Sequence, residues 1–168
     1  MTTLLRTRPL VEADQDALWR WLHVALWDPP PAGLRPIEIL QRPDVRLYAE
    51  GWGRPGDVGV VGLADGLSGG SPGEAIGACW MRRVPDGAGL AWVDAETPQL
   101  GIALEPPFQH RGLGQRLMQA ALAAARAAGY RQVSLTVHPQ NPAIDLYERC
   151  GFAKQGLRNA YHLMLARL

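Results

Sequence analysis

Cysteine is scarce in this chain of 168 residues, which has only Cys79 and Cys150, far apart in the sequence. Neither belongs to a Cys-x-x-Cys pair, and no histidine stands near either one at the spacing of metal ligands. This pattern argues against a structural zinc site and against a disulfide framework. We therefore expect no metal ion, and a reducing compartment, the cytoplasm, is the default location.

Long apolar runs are also lacking, because nowhere do about 18 apolar residues follow one another without interruption. Residues 1–10 contain Arg6, Arg8 and Pro9, but not the apolar core of a signal peptide. The sequence therefore predicts neither export nor insertion into a membrane.

A surplus of either charge is missing too. Lys and Arg number 17 and Asp and Glu number 16, which leaves a net charge of +1, and the basic residues form no stripe. A nucleic acid, whose phosphates require a basic surface, is therefore not an expected partner. Apolar residues make up 47% of the chain and charged residues 20%, which is typical of a globular protein. The length suits one domain, residues 1–168.

The hydrophobic pattern predicts strands and helices in an alternating order. Helical spacing marks residues 14–27 and, most strongly, 109–128, whereas period-two alternation marks 131–137 as a strand. Shorter segments complete the order, namely strands at 4–10, 58–64, 74–83, within 90–104 and at 160–166, and helices at 36–48 and from Asn141-Pro142 to before Gly151. We expect a single α/β layer fold.

The segment Gln-His-Arg-Gly-Leu-Gly at 109–114 lies between an apolar strand and the long helix. Backbone N–H groups and the positive end of the helix converge at such a junction, so that an anion fits there. Gly112 and Gly114 would let a phosphate touch the backbone, and Arg111 or Arg116 would add a charged contact. The alternative is an ordinary helix start packed against the sheet.

Two common phosphate-binding loops do not match this segment. A dinucleotide fingerprint requires a third glycine where Leu117 stands, and a Walker loop requires Gly-Lys-Ser/Thr, whereas the only lysine of the chain is Lys154. Neither type of loop is therefore expected.

A second segment, Asn-Pro-Ala-Ile-Asp-Leu-Tyr-Glu-Arg-Cys-Gly-Phe at 141–152, follows the loop across a helix, a strand and a helix. Together the two segments resemble the GNAT superfamily of N-acetyltransferases, whose acetyl-CoA site uses a Q/R-x-x-G-x-G/A loop and an N…LY…GF segment. The close resemblance covers residues 98–152, and the first half agrees in element order only. It implies a GNAT-type α/β domain with a mixed central sheet of about six or seven strands, about four flanking helices and a V-shaped splay between the two central strands.

The resemblance also implies an acetyl-CoA site. Backbone N–H groups of the loop would hold the pyrophosphate of coenzyme A, and the splay would receive the pantetheine arm like an added strand. A backbone N–H near Ala103 or Leu104 would stabilise the oxyanion formed from the thioester. The implied cofactor-binding residues are Ala103, Leu104, Gln109, His110, Arg111, Gly112, Leu113, Gly114, Gln115, Asn141 and Tyr147.

Tyr147 is implied by the same resemblance as the general acid that protonates the departing thiolate. A packing role is the alternative, because Tyr147 shares a helical face with Ala143, Ile144 and Cys150. Asn141 would bond to the pantetheine or to an ordered water, or it serves only as the cap of a short helix.

The proton acceptor is the least defined part of the site. In the histone-acetylating branch of the family a glutamate on the strand before the loop acts as the base, but Gln99 stands at that position here and cannot titrate. Candidates nearby are Glu96 and His138, which leaves the neighbouring strand at its C-terminal end. Each is also explained as a turn or loop residue, and a water relay to bulk solvent requires neither.

The leading hypothesis is an acetyl-CoA-dependent N-acetyltransferase that transfers an acetyl group directly to a primary amine of a small molecule or peptide. Residues 1–97 would shape the acceptor site, and residues 98–168 would bind acetyl-CoA. Acceptor-binding candidates are Trp19, Trp27, Arg35, Tyr48, Tyr161 and His162. Because Gln99 cannot titrate, the alternative is an acyl-CoA-binding sensor or structural module without turnover. A further, weaker alternative is the transfer of an acyl group longer than acetyl. A homodimer is compatible with the resemblance.

Overall fold

Seven strands form one mixed sheet in the computed structural model, which describes residues 5–168. The strands are β1 (Arg6–Pro9), β2 (Val58–Leu63), β3 (Ala75–Arg82), β4 (Gln99–Leu104), β5 (Gln132–Val137), β6 (Phe152–Arg158) and β7 (Tyr161–Arg167). Their order across the sheet is β1-β2-β3-β4-β5-β7-β6. All neighbours are antiparallel except β4 and β5, which run parallel. The predicted α/β layer fold with a mixed sheet is confirmed.

In the described part of the chain, four α-helices flank the sheet, namely α1 (Gln15–Ala25), α2 (Pro43–Arg46), α3 (Leu113–Ala127) and α4 (Ile144–Arg149). The three prolines that follow Asp28 prevent α1 from continuing, because proline lacks the backbone donor and clashes with the preceding turn. Helix α3 starts after Gly112, whose φ of 75° is a left-handed conformation that favours glycine. Within residues 5–168, no helix combines the length and the apolar character needed to cross a membrane.

The sheet separates two hydrophobic cores. On the side that we call the α3 face, Leu117 of α3 belongs to one buried cluster with Cys79 of β3. On the opposite side, the α1 face, Trp21 of α1 is buried together with Trp80 of β3 and Ala103 of β4. Complete burial of a side chain of this size contributes about 1.5–3 kcal/mol, so both layers hold the sheet in place.

The two parallel strands diverge soon after they meet. Between β4 and β5 the paired register consists of Gln99 and Ser134 alone. The bond from the backbone N–H of Ser134 to the carbonyl of Pro98, 3.1 Å, lies at this same end. Beyond it, toward Leu104 and Val137, the strands are no longer paired. The predicted V-shaped splay is therefore present, and we call the opening the β4–β5 gap.

Three sequence predictions about the second half need correction. Helix α3 begins at Leu113 rather than at residue 109, because 109–112 form a turn that precedes it. Helix α4 begins at Ile144, so that Asn141 lies two residues before the N-cap and not at it. Strand β6 was not anticipated, since its residues after Phe152 are all exposed and carry no alternation. In the first half, the strand predicted from residue 4 begins at Arg6, and Leu4 lies outside the described residues.

A buried ion pair joins β3 to the loop before β2. The Arg82 guanidinium donates to both carboxylate oxygens of Asp57 at 2.9 and 2.7 Å, and their side chains are only 2% and 4% exposed. Arg82 also donates to the carbonyls of Leu47 and Glu50, in the turn that follows α2, at 3.1 and 2.7 Å. Because both charges are compensated, the pair fixes the position of α2 beside the sheet.

We predict that Asp57→Asn destabilises the protein by about 3–5 kcal/mol, because it leaves the Arg82 charge buried without its partner. The matched control is Asp44→Asn, which breaks an exposed pair with Arg42 and should cost about 0–1 kcal/mol. The free energy of unfolding in urea measures both. Equal losses in the two variants would contradict the prediction.

Candidate active site

The β4–β5 gap exposes backbone groups of β4. The N–H of Glu105 donates to the carbonyl of Ile76 at 2.8 Å, in line with the register that pairs Gly77 with Leu104. Because hydrogen bonds alternate along an antiparallel ladder, the N–H groups of Ile102 and Leu104 point away from β3 and into the gap. The N–H of Ala103, the other candidate from the sequence, points to β3. Ile102 was missed by the sequence analysis, although it stands two residues before Leu104 on the same edge.

Gln109 lies at the mouth of this gap and bonds to the end of β4. Its side-chain Nε2–H donates to the carbonyl of Leu104 at 2.8 Å. The side chain thus satisfies a partly buried backbone acceptor that β5 no longer reaches. The loop that begins at Gln109 is thereby joined directly to the end of β4.

The loop at 109–114 has the geometry of an anion-binding site. His110 and Gly112 have positive φ angles of 59° and 75°, so that successive N–H groups turn toward the same side. No side chain of the described residues caps the first turn of α3, which leaves its N–H groups without helical partners. Beside them lies a cavity of about 530 Å³, lined by Leu5, Arg111, Gly112, Gln115, Arg116 and Gln119.

The two arginines of this loop differ in their contacts. Arg111 donates to the carbonyl of Ser68 at 3.0 Å, and its guanidinium lies 5.4 Å from the ring centre of Phe108. It therefore braces the loop against the turn between β2 and β3. Arg116, on the first turns of α3, lines the cavity without a hydrogen bond to any of residues 5–168. Of the two arginines considered from the sequence, Arg116 is the one whose guanidinium N–H groups remain available to an anion.

Gly114 sits where α3 and α4 approach each other. A Cβ at this position would lie 3.2 Å from the Leu146 side chain, so a larger residue would require Leu146 to shift. The two segments on which the family resemblance rests are thus in direct contact. In the sequence, the two segments are separated by α3 and β5.

Tyr147 extends from α4 over the α3 face. Its ring packs edge-on against Phe152, with centroids 6.1 Å apart, and its hydroxyl forms no hydrogen bond with the described residues. Burial, and to a lesser degree the neighbouring Cys79 of β3, raises the pKa of the Tyr147 phenol far above its usual value. Tyr147 packs against the buried cluster that contains Cys79 of β3 and Val137 of β5, the two strands that flank β4, which places its ring on the α3 face beside the β4–β5 gap. The phenol remains protonated at neutral pH.

Asn141 has a local role at the entry to α4. Its Oδ1 accepts the backbone N–H of Ala143 at 2.9 Å, which forms an Asx turn before the helix. This bond uses the amide oxygen and leaves Nδ2 without a partner among the described residues. Asn141 can therefore serve the backbone and still donate a hydrogen bond to a ligand.

His138 lies just beyond β5 on the α1 face, at the open end of the gap. Its ring packs edge-on between Trp27, which follows α1, and Tyr161, which begins β7, with centroid distances of 5.9 and 5.7 Å. The structure thus joins three residues that the sequence named separately. Because side chains alternate along β7, His162 points to the α3 face, away from this group.

The structure does not bring Glu96 to this group. Its side chain is 86% exposed and lies 3.7 Å from the Arg83 guanidinium, before the start of β4 and hence at the other end of that strand from Leu104. Gln99 is buried, where its Oε1 accepts the Tyr48 hydroxyl at 2.8 Å and its Nε2 donates to the carbonyl of Ala88 at 2.9 Å. Gln99 is therefore held in place by Tyr48 and by the loop before β4.

Glu105, which sequence analysis did not single out, ties α1 to the end of β4. Its Oε1 accepts Nε of Arg20 at 2.8 Å and the indole N–H of Trp21 at 3.1 Å. The available signal was an acidic residue directly between an apolar strand and Pro106. Of the other acceptor candidates, Trp19 is covered by the Arg46 guanidinium at 4.7 Å, and Arg35 is paired with Asp28 at 2.7 Å.

Comparison with known families and proteins identifies related chains. The model of the acetyltransferase (GNAT) family matches residues 19–152. A curated protein named mycothiol acetyltransferase, from Nocardiopsis dassonvillei, is 30% identical over 151 residues, which are 89% of this chain and 42% of that protein. This chain therefore spans less than half the length of that relative.

Solved structures share the fold at low sequence identity. The GNAT domain of PAT from S. lividans superposes with a TM-score of 0.66 and 19% identity, covering 99% of this chain and 95% of that one. A GNAT superfamily phosphinothricin acetyltransferase from Sinorhizobium meliloti, in complex with AcCoA, gives a TM-score of 0.66 at 18% identity, covering 99% of this chain and 89% of that one.

The buried contact between Tyr48 and Gln99 predicts a pH dependence of stability. Burial raises the pKa of Tyr48 to about 12, whereas an unfolded tyrosine titrates near ~10. Below pH ~10 both states keep the proton, but between about 10 and 12 only the unfolded state loses it, so the stability falls as the pH rises. Urea unfolding at about pH 9 and 11.5 should show a smaller loss for Tyr48→Phe than for the wild type. The same loss in both proteins would contradict this prediction.

Proposed function

This chain belongs to the acetyltransferase (GNAT) family, and on that basis we propose that it transfers the acetyl group of acetyl-CoA directly to a primary amine of a small molecule or peptide. The observation that carries the proposal is the β4–β5 gap, where two backbone N–H groups of β4 face an opening next to an uncapped helix N-terminus. The backbone N–H groups suit the thioester of acetyl-CoA, and the helix N-terminus suits its diphosphate. The related S. meliloti structure, which contains AcCoA, supports the choice of ligand.

The coenzyme would bind along a continuous path. The N–H groups from His110 to Gln115 would hold the pyrophosphate at the start of α3, where the helix dipole favours an anion, whereas the N–H of Gln109 is already donated to the carbonyl of Pro106 at 3.2 Å. Arg116 would add a charge-assisted contact from the cavity wall. The pantetheine arm would enter the β4–β5 gap and form strand-like hydrogen bonds with β4, and Nδ2 of Asn141 would donate to it from the other side.

The transfer step follows from this arrangement. The lone pair of the neutral amine attacks the thioester carbon, and the carbonyl electrons move to oxygen, which the N–H of Ile102 stabilises. The N–H of Leu104 lies two residues nearer to the loop at 109–114 and would bond to the pantetheine arm, because donors two residues apart on a strand are about 6.6 Å apart and cannot share one oxygen. Collapse of the tetrahedral intermediate breaks the C–S bond, and the thiolate takes a proton from the Tyr147 hydroxyl. The phenolate then regains a proton from solvent, which balances the proton that the amine releases. Because burial raises the Tyr147 pKa, the phenol carries that proton at neutral pH.

The proton that the amine loses on attack would leave through water to bulk solvent. Gln99 cannot accept it, and Glu96 lies at the other end of β4 with an exposed carboxylate beside Arg83. Of the two side-chain bases considered from the sequence, Glu96 and His138, only His138 lies at the open end of the gap. Water reaches that end because His138 is only half-buried.

A second candidate function is an acyl-CoA-binding module without turnover. The observation in its favour is Gln99, a residue that cannot titrate and that is locked by Tyr48 and the carbonyl of Ala88. Such a module would use the same gap and the same loop, but it would not require Tyr147 as an acid.

Turnover distinguishes the two functions. We expect acetyl-CoA to be consumed with release of free thiol when the protein is offered a panel of small amines and peptides with free amino groups. The thiol is measured colorimetrically, and calorimetry measures coenzyme binding to the same sample. Tight binding without thiol release on any amine would favour the module and contradict the enzyme.

Tyr147→Phe tests the proposed acid. The variant keeps the packing against Phe152 but lacks the proton, so kcat should fall by about 10²–10⁴-fold while the Kd for coenzyme A stays within about twofold. The matched control is Tyr130→Phe, because the Tyr130 hydroxyl donates to the carbonyl of Gly56 at 2.6 Å, beyond the far end of α3. Full turnover by Tyr147→Phe would exclude the phenol from the mechanism.

A further inference from the structure

The hydrogen bond at His138 determines which of its ring nitrogens carries the proton. Its Nδ1 accepts the backbone N–H of Gln140, two residues further on, at 3.0 Å. A nitrogen that accepts an N–H uses its lone pair and has no hydrogen of its own. The neutral ring therefore carries its single hydrogen on Nε2.

The Nε2 atom is open to a ligand. It has no hydrogen bond with the described residues. Among those residues the only buried polar side-chain atom without a partner is Nε1 of Trp92, so Nε2 of His138 is not a buried atom. Trp27 and Tyr161 hold the ring on either side, so its direction is fixed by packing as well as by the Gln140 bond. A fixed ring with a free N–H is a hydrogen-bond donor, whereas a base needs a free lone pair at the same place.

Other donors surround the same opening. The Tyr161 hydroxyl has no hydrogen bond within residues 5–168, and the Arg35 guanidinium uses Nε to hold Asp28 at 2.7 Å. The hydrogen bond that Arg35 donates to Asp28 raises the pKa of Arg35. Arg35 follows Leu34, which pairs with Trp27 in an isolated antiparallel bridge, so the cation lies near this group. A ligand on this side of the gap thus meets N–H and O–H groups and one paired cation.

We propose that His138 donates a hydrogen bond from Nε2–H to an oxygen atom of the acceptor and is not the group that removes the proton of the amine. The acceptor class is then an amine with a carbonyl, carboxylate or hydroxyl oxygen close to the reacting nitrogen. The inference rests on the proposed acetyl transfer and deepens it. It assigns His138 to recognition of the acceptor, and water accepts the proton that the amine loses.

The tautomer is the first readout and needs no substrate. Two-bond ¹H–¹⁵N correlation spectra of the full chain, assigned by loss of the His138 signal in His138→Gln, should show a pyridine-type Nδ1 and a protonated Nε2. Gln140→Ala keeps the backbone N–H and should leave this pattern unchanged. A protonated Nδ1 in the neutral ring would overturn the proposal.

Kinetics of three substitutions give the second readout, with the best amine of the panel as the probe. His138→Gln places an amide N–H near the position of Nε2 and should keep kcat/KM within about threefold, whereas His138→Ala should raise KM for the amine about tenfold, as loss of one hydrogen bond predicts. His138→Asn, whose amide lies near the Nδ1 position, should behave like His138→Ala. KM for acetyl-CoA should not change in any variant.

The possible results separate the two proposals. Equal losses of about 10²-fold or more in kcat for His138→Gln and His138→Ala would identify His138 as the base and overturn the donor role. Alaninamide and its oxygen-free counterpart sec-butylamine give a further comparison, because only the first should become a poorer substrate in His138→Ala. If the wild type releases no thiol with any amine, the proposed function fails whatever the tautomer, and the acceptor role of His138 fails with it.

Discussion

The divergence of β4 from β5 is the constraint on which the rest of the candidate site depends. Two parallel strands that stayed paired would use every backbone group between them, whereas here pairing stops at Gln99 and Ser134. Backbone groups left inside a protein must find partners. Gln109 supplies one for the carbonyl of Leu104, and the N–H groups on the same edge of β4 are left for a ligand. The opening is thus created by unpaired backbone, with side chains in a supporting role.

The surrounding layers keep this opening from closing. On the α3 face, α3 packs over β2, β3 and β4 and presents its uncapped N-terminus at the end of β4. On the α1 face, Glu105 joins the end of β4 to α1 through Arg20 and Trp21. The buried pair of Arg82 and Asp57 fixes the other end of β3. The strands therefore separate between two well-packed layers, and the gap does not need flexible loops to maintain it.

The two faces of the sheet also divide the proposed chemistry. Tyr147 approaches the gap from the α3 face, where burial keeps its phenol protonated. His138, Trp27 and Tyr161 approach from the α1 face, where they are partly exposed to solvent. A thioester held in the gap would have its leaving sulfur near the first group and its incoming amine near the second. This division gives the acid a dry environment and gives the proton of the amine a route to water.

The sequence by itself determined the part of the candidate site where we propose that the coenzyme binds, because the loop at 109–114 and the segment at 141–152 are local patterns of glycine, turn and helix residues. It also determined most strands and helices, since apolar periodicity records which face is buried. It could not reveal β6, whose exposed residues carry no period, nor that Glu96 and Leu104 lie at opposite ends of β4. Only the tertiary structure assembled Trp27, His138 and Tyr161, which come from three distant segments. Such groupings depend on how the layers pack, and packing between distant segments leaves no local pattern in the sequence.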